Sequence, residues 1–116
     1  MSVDQKVVLL ALFNALLITA GTGFQKLNGI RGGNAYFNPL LLVAFLCFAP
    51  TFFVANVAYN LGGRTSLFVP VSAVNFVLIA LLGRLYFNEP ISLQQTFGVA
   101  LIVGGVGLVA TGSPAP

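Results

Sequence analysis

The chain has no histidine and no tryptophan, a single cysteine, and only two acidic residues among its 116. Histidine is the commonest general base and metal ligand, so its absence and the scarcity of carboxylates argue against a catalytic centre or a metal site. The lone Cys47 excludes a disulfide within the chain, and its apolar surroundings indicate a buried or lipid-facing side chain. We therefore expect no enzyme activity and no cofactor.

Charge of either sign is also scarce. Charged residues make up 6% of the chain and hydrophobic residues 58%, whereas a soluble domain averages about 25% charged residues. The mean hydropathy is +0.99, so the chain lacks the polar groups that would cover a water-facing surface. The five Lys and Arg residues are scattered and form no basic patch for nucleic acid. They suit contact with anionic membrane lipid instead.

Four hydrophobic segments approach or reach the length of about 20 residues that is needed to cross a membrane. They cover residues 7–24, 39–58, 65–87 and 94–111, and their unbroken apolar runs favour helices over barrel strands. Pro50 and Pro70 lie inside two of them and allow kinks. The first segment lacks a clear cleavage motif, so we interpret it as a retained helix. The predicted fold is all-α, a four-transmembrane-helix bundle in one domain over residues 1–112, with a frayed tail at 113–116.

The distribution of basic residues leaves the membrane orientation open. Lys6 and Arg64 fall on one side of the predicted topology, and Lys26, Arg31 and Arg84 fall on the other. Because the bias in Lys and Arg sets topology, a tally this close to balance predicts either weakly biased insertion or a partner that fixes the orientation.

Polar side chains inside the predicted helices are informative because they are costly in lipid. Asn14, Asn56 and Asn75 either line a polar cleft or form hydrogen bonds between helices. Lys26 and Arg84 flank helix ends, where they either bind a phosphate or extend to the lipid interface. No Asp or Glu lies in the centre of any span, which disfavours a proton-coupled pump.

Glu89 follows the third predicted helix in the turn Asn88-Glu89-Pro90. Three roles remain open for it: an ion pair with Arg84, an ion pair with Lys26, or a cap on the fourth helix.

The fourth predicted helix is rich in glycine. At helical spacing Gly98, Leu101 and Gly105 share one stripe, and Gly104 lies beside it. Small residues let helix backbones approach closely in membranes, so this stripe predicts a packing face, either within the chain or between two chains.

These features resemble the small multidrug resistance family of the drug/metabolite transporter superfamily, whose members are four short hydrophobic helices. Residues 98–106 are similar to that family's dimerisation pattern, and residues 21–26 resemble the end of its first helix. The drug-exporting members carry a glutamate in the first helix where this chain has Ile18. The resemblance therefore does not imply proton-coupled export of cationic drugs.

A neighbouring, EamA-like branch fits better: the 4-amino-4-deoxy-L-arabinose phosphoundecaprenol flippase subunits. Residues 69–77 and 88–92 resemble that branch, as do residues 20–26 and 98–105. The resemblance implies a subunit in the cytoplasmic membrane that pairs with itself or a related subunit and flips a polyisoprenyl-phosphate-linked sugar. The implied substrate-binding residues are Asn14, Gln25, Lys26, Asn75, Arg84 and Glu89, with Lys26 and Arg84 on the phosphate.

Two other functions stay open at this point. One is a small exporter of drugs or metabolites. The other is a membrane subunit that transports nothing and stabilises a larger complex, which the short loops and the lack of ionisable groups in the spans allow.

Overall fold

The computed structural model describes residues 2–34 and 36–112, and all regular secondary structure in those ranges is helical. There are five helices: α1 (Val3–Ile30), α2 (Pro39–Asn60), α3 (Thr65–Ser72), α4 (Val74–Leu85) and α5 (Leu93–Thr111). Since α3 and α4 together form one span of Thr65–Leu85, four segments are long and apolar enough to cross a membrane. The prediction of an all-α, four-span membrane protein is confirmed. The predicted frayed tail lies outside the described residues.

Helix α1 extends beyond the predicted 7–24 at both ends. Its start is fixed by a capping box, in which the Ser2 hydroxyl accepts from the Gln5 amide and the Gln5 side chain accepts from the Ser2 amide. Its last turns are polar and end at Ile30. Gly32 follows with a φ of +67°, a conformation that glycine adopts at little energetic cost. Hydropathy alone missed these turns because they are polar.

Helix α2 begins at Asn38, whose side chain accepts from the Leu41 amide, followed by Pro39 in the first turn. It runs through Pro50 as one continuous helix. It ends before Gly62, which has a φ of +88°.

The third span is interrupted at Ala73, where a single uninterrupted helix is predicted from the sequence. Pro70 has no amide hydrogen and so removes one helical hydrogen bond. Three residues later the Ala73 amide donates to the Pro70 carbonyl at 3.0 Å, and the Phe76 amide donates to the Ala73 carbonyl at 3.0 Å. Both are i→i−3 bonds, which are tighter than those of an α-helix, and they separate α3 from α4.

The best-packed region lies at one end of the bundle. Helix α1 packs along α2 and also contacts α3 and α4, while α5 packs on α3 and α4. Most of the buried apolar side chains form one cluster: Val7, Ala11, Ala58, Leu67, Phe68 and Val71. These residues come from the start of α1, the end of α2 and helix α3, so we call this region the packed half.

The other end contains the end of α1, the start of α2, helix α4 and the start of α5, and we call it the cavity half. Asn75 is the one buried residue of α4, and α5 has none. Cavities lie between the helices at this end, and the candidate site lies beside them.

Candidate functional site

One gap in the cavity half lies between α1 and α4. A cavity of about 260 Å³ opens there, lined by Ala20, Gly23, Phe24, Leu27, Leu82, Tyr86 and Phe87. Ala20, Gly23 and Leu27 repeat at helical spacing along one face of α1. A Cβ at Gly23 would lie 3.1 Å from Leu82 Cδ2, so glycine there lets α1 and α4 approach closely beside the cavity. The wall is apolar and suits a hydrocarbon chain.

An ion pair lies near this gap and joins α1 to the turn that follows α4. Lys26 Nζ on α1 lies 3.3 Å from Glu89 Oε1 in the turn between α4 and α5, with each side chain about half exposed. A second cavity of about 100 Å³ lies directly beside the pair and is lined by Thr22, Lys26, Gly83 and Glu89, among others. Of the three roles that the sequence left open for Glu89, the structure has the pair with Lys26.

The backbone of the turn holds Glu89 in position. The Glu89 amide donates to the Gly83 carbonyl at 2.9 Å, and Asn88 adopts the left-handed conformation with a φ of 55°. A Cβ at position 83 would lie 3.1 Å from Glu89 Oε2, so glycine there gives the carboxylate its space. Helix α5 is capped by Ser92 and Gln95 in a capping box, and therefore not by Glu89.

Arg84 lies on the other side of the same carboxylate. It lines a cavity of about 400 Å³ between α4 and α5, together with Glu89, Gln95 and Gly98. Arg84 belongs to no ion pair among the described residues. Its exposed guanidinium therefore keeps all of its donors for a ligand.

The two ends of the bundle differ in charge. The packed half has Lys6 and an Arg64–Asp4 pair at 3.3 Å, so two cations stand against one acid. The cavity half has Lys26, Arg31 and Arg84 against Glu89, so three cations stand against one acid. The excess of positive charge at the cavity half favours an anionic group there.

The amides of the spans form a separate cluster at mid-bundle. Asn14 donates to the Ser72 hydroxyl at 3.3 Å, and both side chains are buried beside the break in the third span, as is Asn75. The side-chain oxygen of Asn14, Oδ1, has no hydrogen-bond partner among the described residues. Twelve residues separate Asn14 from Lys26, which is about 18 Å along a helix. The cluster therefore lies within the spans and is removed from the ion pair.

The structure does not bring all the predicted binding residues together. Lys26, Arg84 and Glu89 gather at the cavity half, and Asn14 and Asn75 lie at mid-bundle. Gln25 is exposed on α1 and lines none of the cavities described above. Asn56 is exposed on α2 and lies outside any polar cleft.

Most of the glycine face of α5 points away from the bundle, and Gly98 also borders the cavity between α4 and α5. Gly98, Gly104 and Gly105 have nothing within 4 Å of where a Cβ would be, and Leu101 is 75% exposed. The opposite face of α5, with Val99, Ile102, Val106 and Val109, is partly buried. The predicted packing of the glycine face within the chain is therefore not found in the described residues. Packing between two chains stays a prediction.

Two features of the site were not predicted from the sequence. Ser72 is the partner of Asn14, and only the register of α1 against α3 places them together. The apolar cavity had a weak signal in the sequence: the small residues Ala20 and Gly23 lie three apart on the face of α1 that lines it.

The chain is similar to several known proteins over part of its length. The chain is 48% identical over 40 residues to the probable 4-amino-4-deoxy-L-arabinose-phosphoundecaprenol flippase subunit ArnE of Pseudomonas fluorescens strain Pf0-1, which is 34% of this chain and 35% of that protein. It is 54% identical over 37 residues to the same-named protein of Pseudomonas syringae pv. syringae strain B728a, 32% of this chain and 34% of that protein. The corresponding protein of Pseudomonas aeruginosa strain LESB58 is 45% identical over 40 residues, 34% of this chain and 35% of that protein.

The matched stretch thus spans about a third of the length of these relatives. No family model matches the chain, and no solved structure matches it. The resemblance to the flippase subunits that the sequence motifs predict is confirmed over that stretch. The relatives' names describe a transporter subunit, which agrees with the expectation that the chain is not an enzyme.

Proposed function

We propose that the chain is a membrane transporter subunit that moves a polyisoprenyl-phosphate-linked sugar across the cytoplasmic membrane. The observation that carries the proposal is the placement of Lys26 and Arg84 on either side of Glu89, at the more cationic end of the bundle and beside an apolar cavity. The similarity to proteins named as flippase subunits supports it.

The chemistry of such a substrate matches the two parts of this region. The phosphate is an anion that binds ammonium and guanidinium groups through charge-assisted hydrogen bonds, which Lys26 and Arg84 supply. The polyisoprenyl tail is apolar and fits the cavity between Ala20, Gly23 and Leu82, or the lipid beside it. The phosphate thus crosses the interface paired with protein cations instead of being exposed to hydrocarbon.

The mid-bundle amides have a role in the second part of the path. In this proposal the sugar moves from the Lys26 end of the bundle past Asn75 and then Asn14. The side-chain oxygen of Asn14 has no protein partner among the described residues. Neutral hydrogen bonds from amides replace those to water without requiring an opposite charge. Because the centres of the described spans hold no carboxylate, this path suits a neutral or zwitterionic sugar better than a lipophilic cation.

A partner chain completes the path in this proposal. The four spans alone enclose no continuous passage among the described residues, and the glycine face of α5 lies open on the outside of the bundle. A second copy or a related subunit would pack there, because small residues allow close approach of helices.

The test is leaflet transfer in liposomes. We would reconstitute the chain, alone and with a related partner subunit, with a fluorescent polyprenyl-phosphate sugar. Transfer should fall at least tenfold in the Lys26→Ala, Arg84→Ala double variant. The matched control is Lys6→Ala, Arg64→Ala, which removes two cations from the packed half and should retain transfer. Transfer that is equal in the two double variants would contradict the phosphate role, and a complete lack of transfer in every combination would favour a subunit without transport activity.

A further inference from the structure

The Lys26–Glu89 pair raises a difficulty for phosphate binding. A cation that already touches a carboxylate at 3.3 Å offers less attraction to a second anion than an unpaired one does. For Lys26 to bind a phosphate, Glu89 must therefore give up its contact with Lys26.

We propose that Glu89 is an internal competitor for Lys26, and that a phosphate group must displace it in order to bind. This inference rests on the proposed function and adds to it a residue that sets the affinity and selectivity of the site. Glu89 occupies the place of the phosphate when none is bound, so that Lys26 has a counter-ion in both states.

The position of Glu89 fits displacement. Its side chain is about half exposed and is held by one ion pair, and exposed pairs contribute little. Its backbone is held by the single hydrogen bond to Gly83 described above, beyond the last residue of α4. The carboxylate thus lies on a short turn and can move without disturbing a helix.

The surroundings also provide a place for the displaced carboxylate. Glu89 borders the small cavity beside Lys26 and the larger one that contains Arg84. When a phosphate takes Lys26, the carboxylate can rotate toward Arg84 in the larger cavity, which has a volume of about 400 Å³. A phosphate that engages both cations would have to displace it from both sides.

The competition has a consequence for selectivity. A neutral lipid offers nothing to replace the lost pair, so Glu89 stays on Lys26 and the site stays closed. A phosphorylated lipid replaces the carboxylate with a charge-assisted bond to Lys26, so that Lys26 keeps an anionic partner. Glu89 therefore discriminates in favour of anionic headgroups.

The test compares phosphate affinity in variants that remove one ion pair at a time. The purified chain in detergent would be titrated with farnesyl phosphate, with inorganic phosphate and with farnesol. Glu89→Gln keeps the shape of the side chain and removes its charge. We expect it to tighten binding of farnesyl phosphate about two- to fivefold, the range that an exposed ion pair spans, with no change for farnesol. Asp4→Asn removes the carboxylate of the matched pair in the packed half and should leave all three affinities unchanged.

A third variant assigns the effect to Lys26. In a Lys26→Ala background, Glu89→Gln should no longer improve affinity, because the cation for which the two anions compete is gone. A gain of equal size in that background would overturn the proposal, since it would reflect the general charge of this end. Hydrogen exchange of the Glu89 amide, expected to quicken when phosphate is added to the wild type, reports movement of the turn directly.

The outcomes separate this inference from the proposed function. Equal affinity of wild type and Glu89→Gln would overturn the competition and leave the phosphate site standing, and weaker binding by Glu89→Gln would overturn it in favour of direct contact. A gain with inorganic phosphate alone would support the competition and contradict a lipid substrate. Absence of phosphate binding in every variant would overturn both.

Discussion

The packed half of the bundle contains the cluster of buried apolar side chains, whereas the cavity half has an ion pair that involves a residue of a turn. Both ends carry a pair with a 3.3 Å separation, Asp4–Arg64 and Lys26–Glu89. Beside the first pair lie Val7, Leu67 and Val71, which are almost completely buried, although Asp4 also borders a cavity of about 520 Å³ between α1 and α5. Beside the second lie cavities and a helix, α4, that buries one residue. Similar polar contacts thus differ in the buried side chains around them, and the cluster of buried apolar residues lies only at the first end.

The break at Ala73 separates the two halves. Helix α3 is fixed in the packed half by Leu67, Phe68 and Val71, and α4 begins one residue after the break. Irregular backbone within a membrane is typical of transporter sites and permits one part of a helix to move against the other. The same span therefore contributes a fixed part and a loosely packed part.

The largest expected effect is the loss of a ring from the packed half. Phe68 is 3% exposed and Phe76, on α4, is 58% exposed. Phe68→Ala leaves a cavity that the neighbouring helices cannot fill, and we expect it to lower the free energy of unfolding by about 3 kcal/mol. Phe76→Ala should cost less than about 0.5 kcal/mol, because lipid replaces the ring. Unfolding in mixed micelles measures both, and equal losses would contradict the division into halves.

A smaller effect is expected at the seam between α1 and α2. A Cβ at Gly21 would lie 2.7 Å from the Phe48 ring, whereas one at Gly104 on α5 would meet nothing within 4 Å. Gly21→Ala should cost about 1–3 kcal/mol through overpacking, and Gly104→Ala should leave the stability of the monomer unchanged. This result would show that α1 packs tightly on α2 in the cavity half, although it packs loosely on α4 there. A neutral Gly21→Ala would argue that α1 and α2 separate there.

The smallest effect is expected at the mid-bundle hydrogen bond. Ser72→Ala leaves the buried Asn14 amide without its partner, and hydrogen bonds between membrane helices average about 0.6 kcal/mol. We expect a loss of that order. Asn14→Leu removes both the bond and the carbonyl oxygen without a partner, so it should be near neutral. A double-mutant cycle measures the coupling, and a value above about 2 kcal/mol would mean that this bond holds the halves together.

The predictions from sequence were accurate where composition alone sets the answer. The four spans follow from runs of about 20 apolar residues, since the backbone must satisfy its own hydrogen bonds in lipid. The end of α1 was missed because Gln25, Lys26 and Asn28 are polar and still helical. The interruption at Ala73 was missed because Pro50 and Pro70 look alike in sequence, and only Pro70 is followed by the tighter hydrogen bonds.

The candidate site was predicted in part. Lys26, Arg84 and Glu89 are on the expected face, and the pairing of Glu89 with Lys26 was one of three alternatives. Gln25 was grouped with Lys26 because they are adjacent in sequence, but neighbours in a helix point about 100° apart. The partner of Asn14 depends on how two helices are aligned, which no local pattern reveals.

The amino-acid sequence was sufficient to establish that this is a membrane protein with four spans and that its few charged residues lie near the ends of the helices. Those properties follow from transfer of each segment into lipid, which is a sum over residues. Only the tertiary structure decided which end is packed, which carboxylate holds Lys26, and that the glycine face of α5 lies outside. These depend on the shapes that helices present to each other, because a helix has several faces and packing selects one of them.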